Sequence, residues 1–182
     1  KGFIALGLSG GGFAYLLSTQ DIKMRDNLKA AKVWVPQGDR SAEVAFKAAG
    51  VTPIPLPLAD VYTSLQTGLI DTAANTPAGA IAFQWHTKMK HLIDLPVSYV
   101  VGLLVIDKKP FDKLTPADQQ VLREETGEVF ARLDQLSKDD DTKALETLKS
   151  QGLSVYTPTA AEQTLWQNVG TDAIKILDAE HA

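Results

Sequence analysis

Between Lys32 and Asn75 the chain repeats one unit: a short apolar run, a helical segment with its own start and stop signals, then another run. Lys32-Val33-Trp34-Val35-Pro36 alternates as a strand does, with Val33 and Val35 on one face, Lys32 and Trp34 on the other, and Pro36 as its end. Asp39 or Ser41 can cap a helix through about Ala49, in which Val44, Ala45, Ala48 and Ala49 form an apolar stripe and Gly50 takes the left-handed stop position. Val51 to Pro55 is the next strand and Leu56-Pro57-Leu58-Ala59 its loop. A short helix follows, with the Asp60 carboxylate placed to cap it and Gly68 to stop it. Leu69 to Ala73 then forms a third strand that ends in a polar corner at Asn75 and Thr76. Strands and helices that alternate with connections this short belong to a parallel sheet covered by helices, so the fold class is α/β.

One geometric consequence needs nothing further. Right-handed crossovers bring the three strand ends, Pro36 to Asp39, Pro55 to Asp60 and Asn75 to Pro77, to the same edge of the sheet, where α/β folds bind ligands. Trp34 lies on the last turn of its strand and can stack on an apolar or cyclic ligand; ordinary packing between sheet and helix explains it equally well. Asn75 can donate and accept hydrogen bonds at the adjacent strand end, or serve as a turn residue bonded to its own backbone before Pro77.

The flanking segments read as follows. Phe3 to Leu8 and Phe13 to Ser18 are strand-like, separated by a turn or close-approach loop at Ser9-Gly10-Gly11-Gly12. Pro77 to Met89 is a helix of small residues. Leu92 to Pro96 and Tyr99 to Ile106 are extended, and the second is apolar enough to be buried on both faces. Thr115-Pro116-Ala117-Asp118 starts a helix that can run to Ser150 with Val121, Leu122, Val129, Phe130, Leu133 and Leu136 as its stripe. Leu153 to Tyr156 is a short strand. Thr159 and Glu162 form a capping box for a last helix with Leu165, Trp166, Val169, Ala173, Ile174 and Leu177 inward.

Composition narrows the function. A net charge of -4 with no basic patch argues against nucleic acid or an anionic membrane as partner. No apolar run is long enough to cross a bilayer, and the absence of cysteine excludes disulfides and thiolate chemistry. Gly7-Leu8-Ser9-Gly10-Gly11 matches a nucleophile elbow, with Asp71 and His86 following in hydrolase order, but an elbow needs a helix directly after the serine and Phe13 to Ser18 suits a strand. Asp139-Asp140-Asp141 lacks the alternating spacing of a calcium loop, and His86 and His91 do not share a helical face.

Val61-Tyr62-Thr63-Ser64-Leu65-Gln66-Thr67-Gly68-Leu69-Ile70-Asp71 resembles the "YxALQxGxxDG" signature of the solute-binding proteins of TRAP transporters, the DctP-type periplasmic receptors. In the same order, Gly11-Gly12-Phe13 with Asp21-Ile22 resembles their "GGFR…PI" and Lys32 to Pro36 their "KIRVP". Lys90-His91-Leu92 with Ser98-Tyr99 is similar to "KYLTLTNHSY", and Phe111 to Gln119 to "WDKLSPEDQ". The resemblance implies a periplasmic-binding-protein-like fold of two α/β lobes enclosing a small organic solute. It also implies delivery of that solute to the membrane subunits of the transporter, with no catalysis and no cofactor. It divides the chain into a crossing strand at 1–12, a second lobe at 13–97, a return into the first lobe at 98–138, and a second crossing with the terminal helix at 139–182. The opening of the first lobe has no counterpart, so the chain is expected to be the carboxy-terminal part of a receptor.

Two departures bear on the solute. The family's arginine in "GGFR" falls at Ala14, and that in "KIRVP", which grips a ligand carboxylate as a planar fork, falls at Trp34. Each charge-assisted bond is worth about 1.5–3 kcal/mol, so simple carboxylates should bind about tenfold to a hundredfold more weakly. The reading turns Trp34, Asn75, Ala14, Pro57 and Tyr99 toward a less acidic, more apolar or cyclic solute, not a simple dicarboxylate, with Trp34 as platform and Asn75 as polar anchor.

Overall fold

The computed structural model describes residues 2–23 and 25–181, without the side chains of Arg25, Asp26 and His181; Lys1, Met24 and Ala182 lie outside the described residues. The chain runs β1 (Phe3–Ser18), α1 (Arg25–Leu28), β2 (Trp34–Pro36), α2 (Arg40–Ala48), β3 (Ile54–Leu56), α3 (Val61–Thr67), β4 (Thr72–Asn75) and α4 (Pro77–Ala82). It continues through β5 (His91–Asp107), α5 (Lys108–Phe111), α6 (Pro116–Ser150), β6 (Ser154–Tyr156) and α7 (Ala160–His181). β2 and β3 pair in parallel, and a parallel bridge from Val33 to Thr72 joins them to β4. The second sheet continues in the order β4, β1, β5, β6, with β1 antiparallel to both its neighbours and β6 parallel to β5.

Successive residues on these strands point to opposite faces, so the sheet is packed on both. Leu17, Trp34, Ala73 and Leu92 meet α3, α4 and the end of α6 through Val61, Leu65, Ala80 and Leu148. Leu16, Val33 and Ile93 face the other way, onto Leu28, Ala49, Val51 and Val169. The strand–helix alternation from Val33 to Asn75 and the opposite facing of Val33 and Trp34 thus match the sequence reading.

The caps are mostly as read. Asp39 accepts from Ala42 N at 3.0 Å, Gly68 takes φ 72°, and Thr115 accepts from Asp118 N. Asp60 is an exception: a 3-10 turn at Leu58–Asp60 holds it at φ -90°, ψ -9°, and its side chain makes no capping bond. A residue already in the helical region cannot swing its carboxylate over the first turn as an extended cap does.

Four further expectations are corrected. β1 does not turn at Ser9–Gly12; it runs straight through, paired with β5 on both sides of a bulge between Gly10 and Gly12. The helix from Pro77 stops at Ala82, because Gln84 adopts φ 60° before a 3-10 turn at Trp85–Thr87. β5 is one strand, with Pro96 opposite Tyr15 between two register shifts, the kind of irregularity at which strands tolerate proline. Its second half is not buried: Val101 is 53% exposed and Leu103 58%. There β1 and β5 leave the sheet as a two-stranded ribbon, and α6 packs on β1 rather than on β5.

The face α6 lays on β1 takes in Phe130 of the expected apolar stripe but not most of the rest. Val121, Val129, Leu133 and Leu136 are exposed, and the contacts come from Thr126, Phe130, Asp134 and Asp141. Thr126 Oγ1 donates to Leu6 O, Phe130 covers Gly7, Asp134 Oδ1 accepts from Gly10 N at 2.8 Å, and the Asp141 carboxylate rests on Gly12. The glycines that read as a turn or close-approach loop are therefore the floor of a groove for a helix: a side chain at Gly7 or Gly12 would meet Phe130 or Asp141 of α6, and one at Gly10 would meet the Tyr99 hydroxyl first and then Asp134.

The last helix opens on the capping box. Glu162 accepts from Thr159 N at 2.7 Å and from the Tyr156 hydroxyl at 2.8 Å, and Thr159 Oγ1 accepts from Glu162 N. α7 then packs against α2, with Val169 and Ala173 buried while Leu165 and Ile174 stay exposed. The Thr159 N–H, and then the Tyr156 and Thr159 hydroxyls, hold the Glu162 carboxyl below the usual glutamate range. A carboxylate depressed in the folded state stabilises above its unfolded pKa, and that contribution is lost as pH falls through the folded value. Urea midpoints followed from neutral pH into that acid window should decline less steeply in Glu162→Gln than in the parent chain; identical slopes would remove the capping box from the acid response.

Candidate functional site

The three strand ends do meet. A cleft of about 960 Å³ opens over them, walled by Pro36 and Asp39 after β2, Leu58 after β3 and Asn75 at the end of β4. β5 contributes Leu95 to Val101, α2 contributes Ser41, Ala42, Ala45 and Phe46, and α7 contributes Gln163, Trp166, Gln167 and Gly170.

Of the five residues singled out from sequence, Trp34, Asn75, Ala14 and Tyr99 border this cleft, and Pro57 does not; its exposed neighbour Leu58 takes that place. Trp34 is only 5% exposed. Its ring meets Trp85 edge to face with centroids 5.3 Å apart, and its Nε1 donates to Leu56 O at 3.0 Å, pinning β2 to the tip of β3. So little of the ring is open that it offers the cleft only a small part of its surface. Ala14 is buried in the floor beside Ser98, its partner on β5. Tyr99 stacks edge-on with Phe13 at 4.9 Å, and its hydroxyl lies over Gly10 beside Asp134, on the α6 side.

Asn75 does both things its residue type allows. Its Oδ1 accepts from Thr76 N at 2.8 Å, and the side chain packs so closely on Gly79 that a Cβ there would collide with it. Among the described residues its amide nitrogen donates to nothing in the protein, which leaves a donor on the cleft wall. Thr76 in turn caps α4 by accepting from Gly79 N.

Asp39 is the one ionisable carboxylate among the described lining residues, and no Lys or Arg is among them. Its Oδ1 is already engaged with Ala42 N. The rest of the polar lining is neutral: Ser41, Asn75, Ser98, Gln163 and Gln167. The α7 wall was missed in sequence, where Trp166 reads as core; the glutamines at 163 and 167, one turn apart on the side of Trp166, were the available cue.

The residues of the hydrolase reading do not come together. Ser9 lies mid-strand opposite Gly102, with no helix after it, while Asp71 Oδ1 accepts from Lys32 N and Thr72 Oγ1 and His86 Nδ1 faces Ala80 O. The hydrolase reading finds no support in that arrangement. Among the described residues no group of three His, Cys, Asp or Glu could hold a metal ion, and no helix is long and apolar enough to cross a membrane.

Residues 1–179 match the family described as "Bacterial extracellular solute-binding protein, family 7", DctP. The chain belongs to that family. A relative, the C4-dicarboxylate-binding periplasmic protein DctP of Rhodobacter capsulatus, is 26% identical over 173 residues, 94% of this chain and 51% of the relative. The TRAP periplasmic solute-binding protein of Shewanella oneidensis, solved with bound succinate, superposes with a TM-score of 0.89 at 21% identity over 98% of this chain and 58% of its own. That of Desulfovibrio salexigens, solved with bound orotic acid, gives 0.85 at 20% identity over 98% and 62%. The chain therefore spans about half the length of that curated relative and some three fifths of those solved chains.

Proposed function

We propose that this chain forms the solute-facing α/β lobe and long connecting helix of a periplasmic receptor that delivers a small organic solute to the membrane subunits of a TRAP transporter. In this reading residues 1–12 are a crossing strand from a first lobe, 13–97 the second lobe, 98–138 a return into the first lobe, and 139–182 a second crossing with the terminal helix. The part of the family's length that this chain does not span would cover the exposed half of the ribbon, where Val101 and Leu103 stand open. Closing of the two lobes around solute is the signal the membrane subunits would read.

The observation that carries the choice of solute is that the described lining residues of the cleft are neutral apart from Asp39, with no Lys or Arg among them. Trp34 stands where the resemblance places a guanidinium, and its indole N–H is spent on Leu56 O. A dicarboxylate enclosed there would lose water without gaining a charge partner from this lobe. A cyclic or less acidic solute would instead bury its body against Trp166 and the exposed part of Trp34, and accept a hydrogen bond from the Asn75 amide.

Titration of the intact receptor with succinate, D-glucuronate and orotic acid, followed by calorimetry at low and high salt, tests this. The cyclic probes are expected to bind at least about tenfold more tightly than succinate, with little salt dependence, and Asn75→Ala to weaken them by about tenfold, the worth of one well-placed hydrogen bond. Micromolar, salt-sensitive succinate binding that survives Asn75→Ala would overturn the reading.

A further inference from the structure

Three consecutive aspartates, Asp139 to Asp141, lie on α6, and only the last turns inward. Asp141 sits two turns beyond Asp134, the residue that anchors α6 to Gly10. Its Oδ1 accepts from Ala78 N at 3.2 Å, and its Oδ2 is buried against Gly12 with no hydrogen-bond partner among the described residues. Burial raises its pKa above the usual aspartate value, while the Ala78 N–H and the neighbouring Thr76 hydroxyl pull the other way.

These contacts converge on the corner that carries Asn75. Thr76 Oγ1 takes the Gly79 N–H and Asp141 takes the Ala78 N–H, so two of the donors that a helix start leaves free are filled, one from within the corner and one from a residue 63 positions away. Asn75 is wedged on Gly79 of the same turn. A shift of that turn moves the Asn75 amide with it, because the side chain has no room over Gly79 to compensate.

We infer that Asp141 is a positioning residue for the solute-facing corner: it straps the Asn75–Thr76–Pro77 turn to the long helix, so displacement of α6 is transmitted to the polar anchor of the cleft. The inference rests on the reading of Asn75 as that anchor. Packing alone gives no reason for a carboxylate here, since one of its oxygens is buried without a donor and an apolar side chain would avoid that cost.

The test is made on the chain without solute, by site-resolved amide exchange and by the side-chain amide signal of Asn75 in nitrogen–proton correlation spectra. Asp141→Ala should raise exchange at Ala78 by at least about tenfold and shift the Asn75 signal, with the amides of the Glu162 capping box unchanged. Asp141→Asn keeps an oxygen for Ala78 N–H and should restore both readouts to within about twofold of the parent. Unchanged exchange at Ala78 in Asp141→Ala, or an increase spread evenly over the whole chain, would refute the strap. If the strap holds but Asn75→Ala leaves binding of the cyclic probes intact, the anchor reading fails and the positioning role stands.

Discussion

Trp34→Ala should destabilise the lobe by about 3–5 kcal/mol, the range for truncating a buried tryptophan. The ring is buried between the sheet and α4, and three separate contributions go with it. The apolar area is the largest. The edge-to-face contact with Trp85 adds about 0.5–1.5 kcal/mol. The third is the bond from Nε1 to Leu56 O, whose loss leaves that carbonyl at the tip of β3 with the Gln37 N–H as its remaining donor. Trp34→Phe separates these: it keeps an aromatic ring against Trp85 and gives up the bond, so it should cost about 1–3 kcal/mol. Urea unfolding of the three proteins decides the matter, and a loss below about 1 kcal/mol for Trp34→Ala would mean that the ring is not packed as described. The same comparison governs any binding experiment, because an alanine here removes the wall that holds β2 and β3 in register. Trp34→Phe is the variant in which weaker solute binding can be assigned to the cleft rather than to the fold.

How much of this was legible depended on whether the partner of each residue was near in sequence. Asp39, Gly50, Gly68, Thr115 and the Thr159–Glu162 box act within their own turn of helix, and all were read correctly from residue type and spacing. The convergence of three strand ends on one cleft followed from crossover handedness, and Pro36, Leu58 and Asn75 do border it. Asp60 was misread because the 3-10 turn before it leaves no composition signal. The run from Tyr99 to Ile106 looks the same whether it is covered or not, since an apolar strand does not encode what lies outside it. The glycines of β1 were the hardest, because what they make room for is a helix more than a hundred residues further on. The cleft was half visible for a similar reason: β2, β3 and β4 announce their ends locally, whereas Trp166 and its flanking glutamines reach the cleft only through the packing of α7 on α2.

Substitution in that groove should show the second large effect. Gly12→Ala is expected to cost about 2–5 kcal/mol, the sum of about 1–2 for holding an L-residue at positive φ and about 1–3 for overpacking. Gly12 is at φ 97°, the one glycine of β1 in the left-handed half of the map, and a Cβ built on it falls on the Asp141 carboxylate. Gly11→Ala is the internal control. Its φ is not positive, and its Cβ would meet the Val100 side chain at 2.9 and 3.2 Å and the Val100 carbonyl at 3.3 Å, so it should carry an overpacking cost alone, about 1–3 kcal/mol, that Asp141→Ala does not relieve. The two parts of the Gly12 penalty can be told apart by combining it with Asp141→Ala, which clears the space but cannot relax the backbone. If the helix is what the glycine accommodates, the double variant recovers the steric part, and the two changes couple by at least about 1 kcal/mol in a cycle of urea midpoints. Strict additivity would locate the whole penalty in the backbone, and α6 would then have no claim on Gly12.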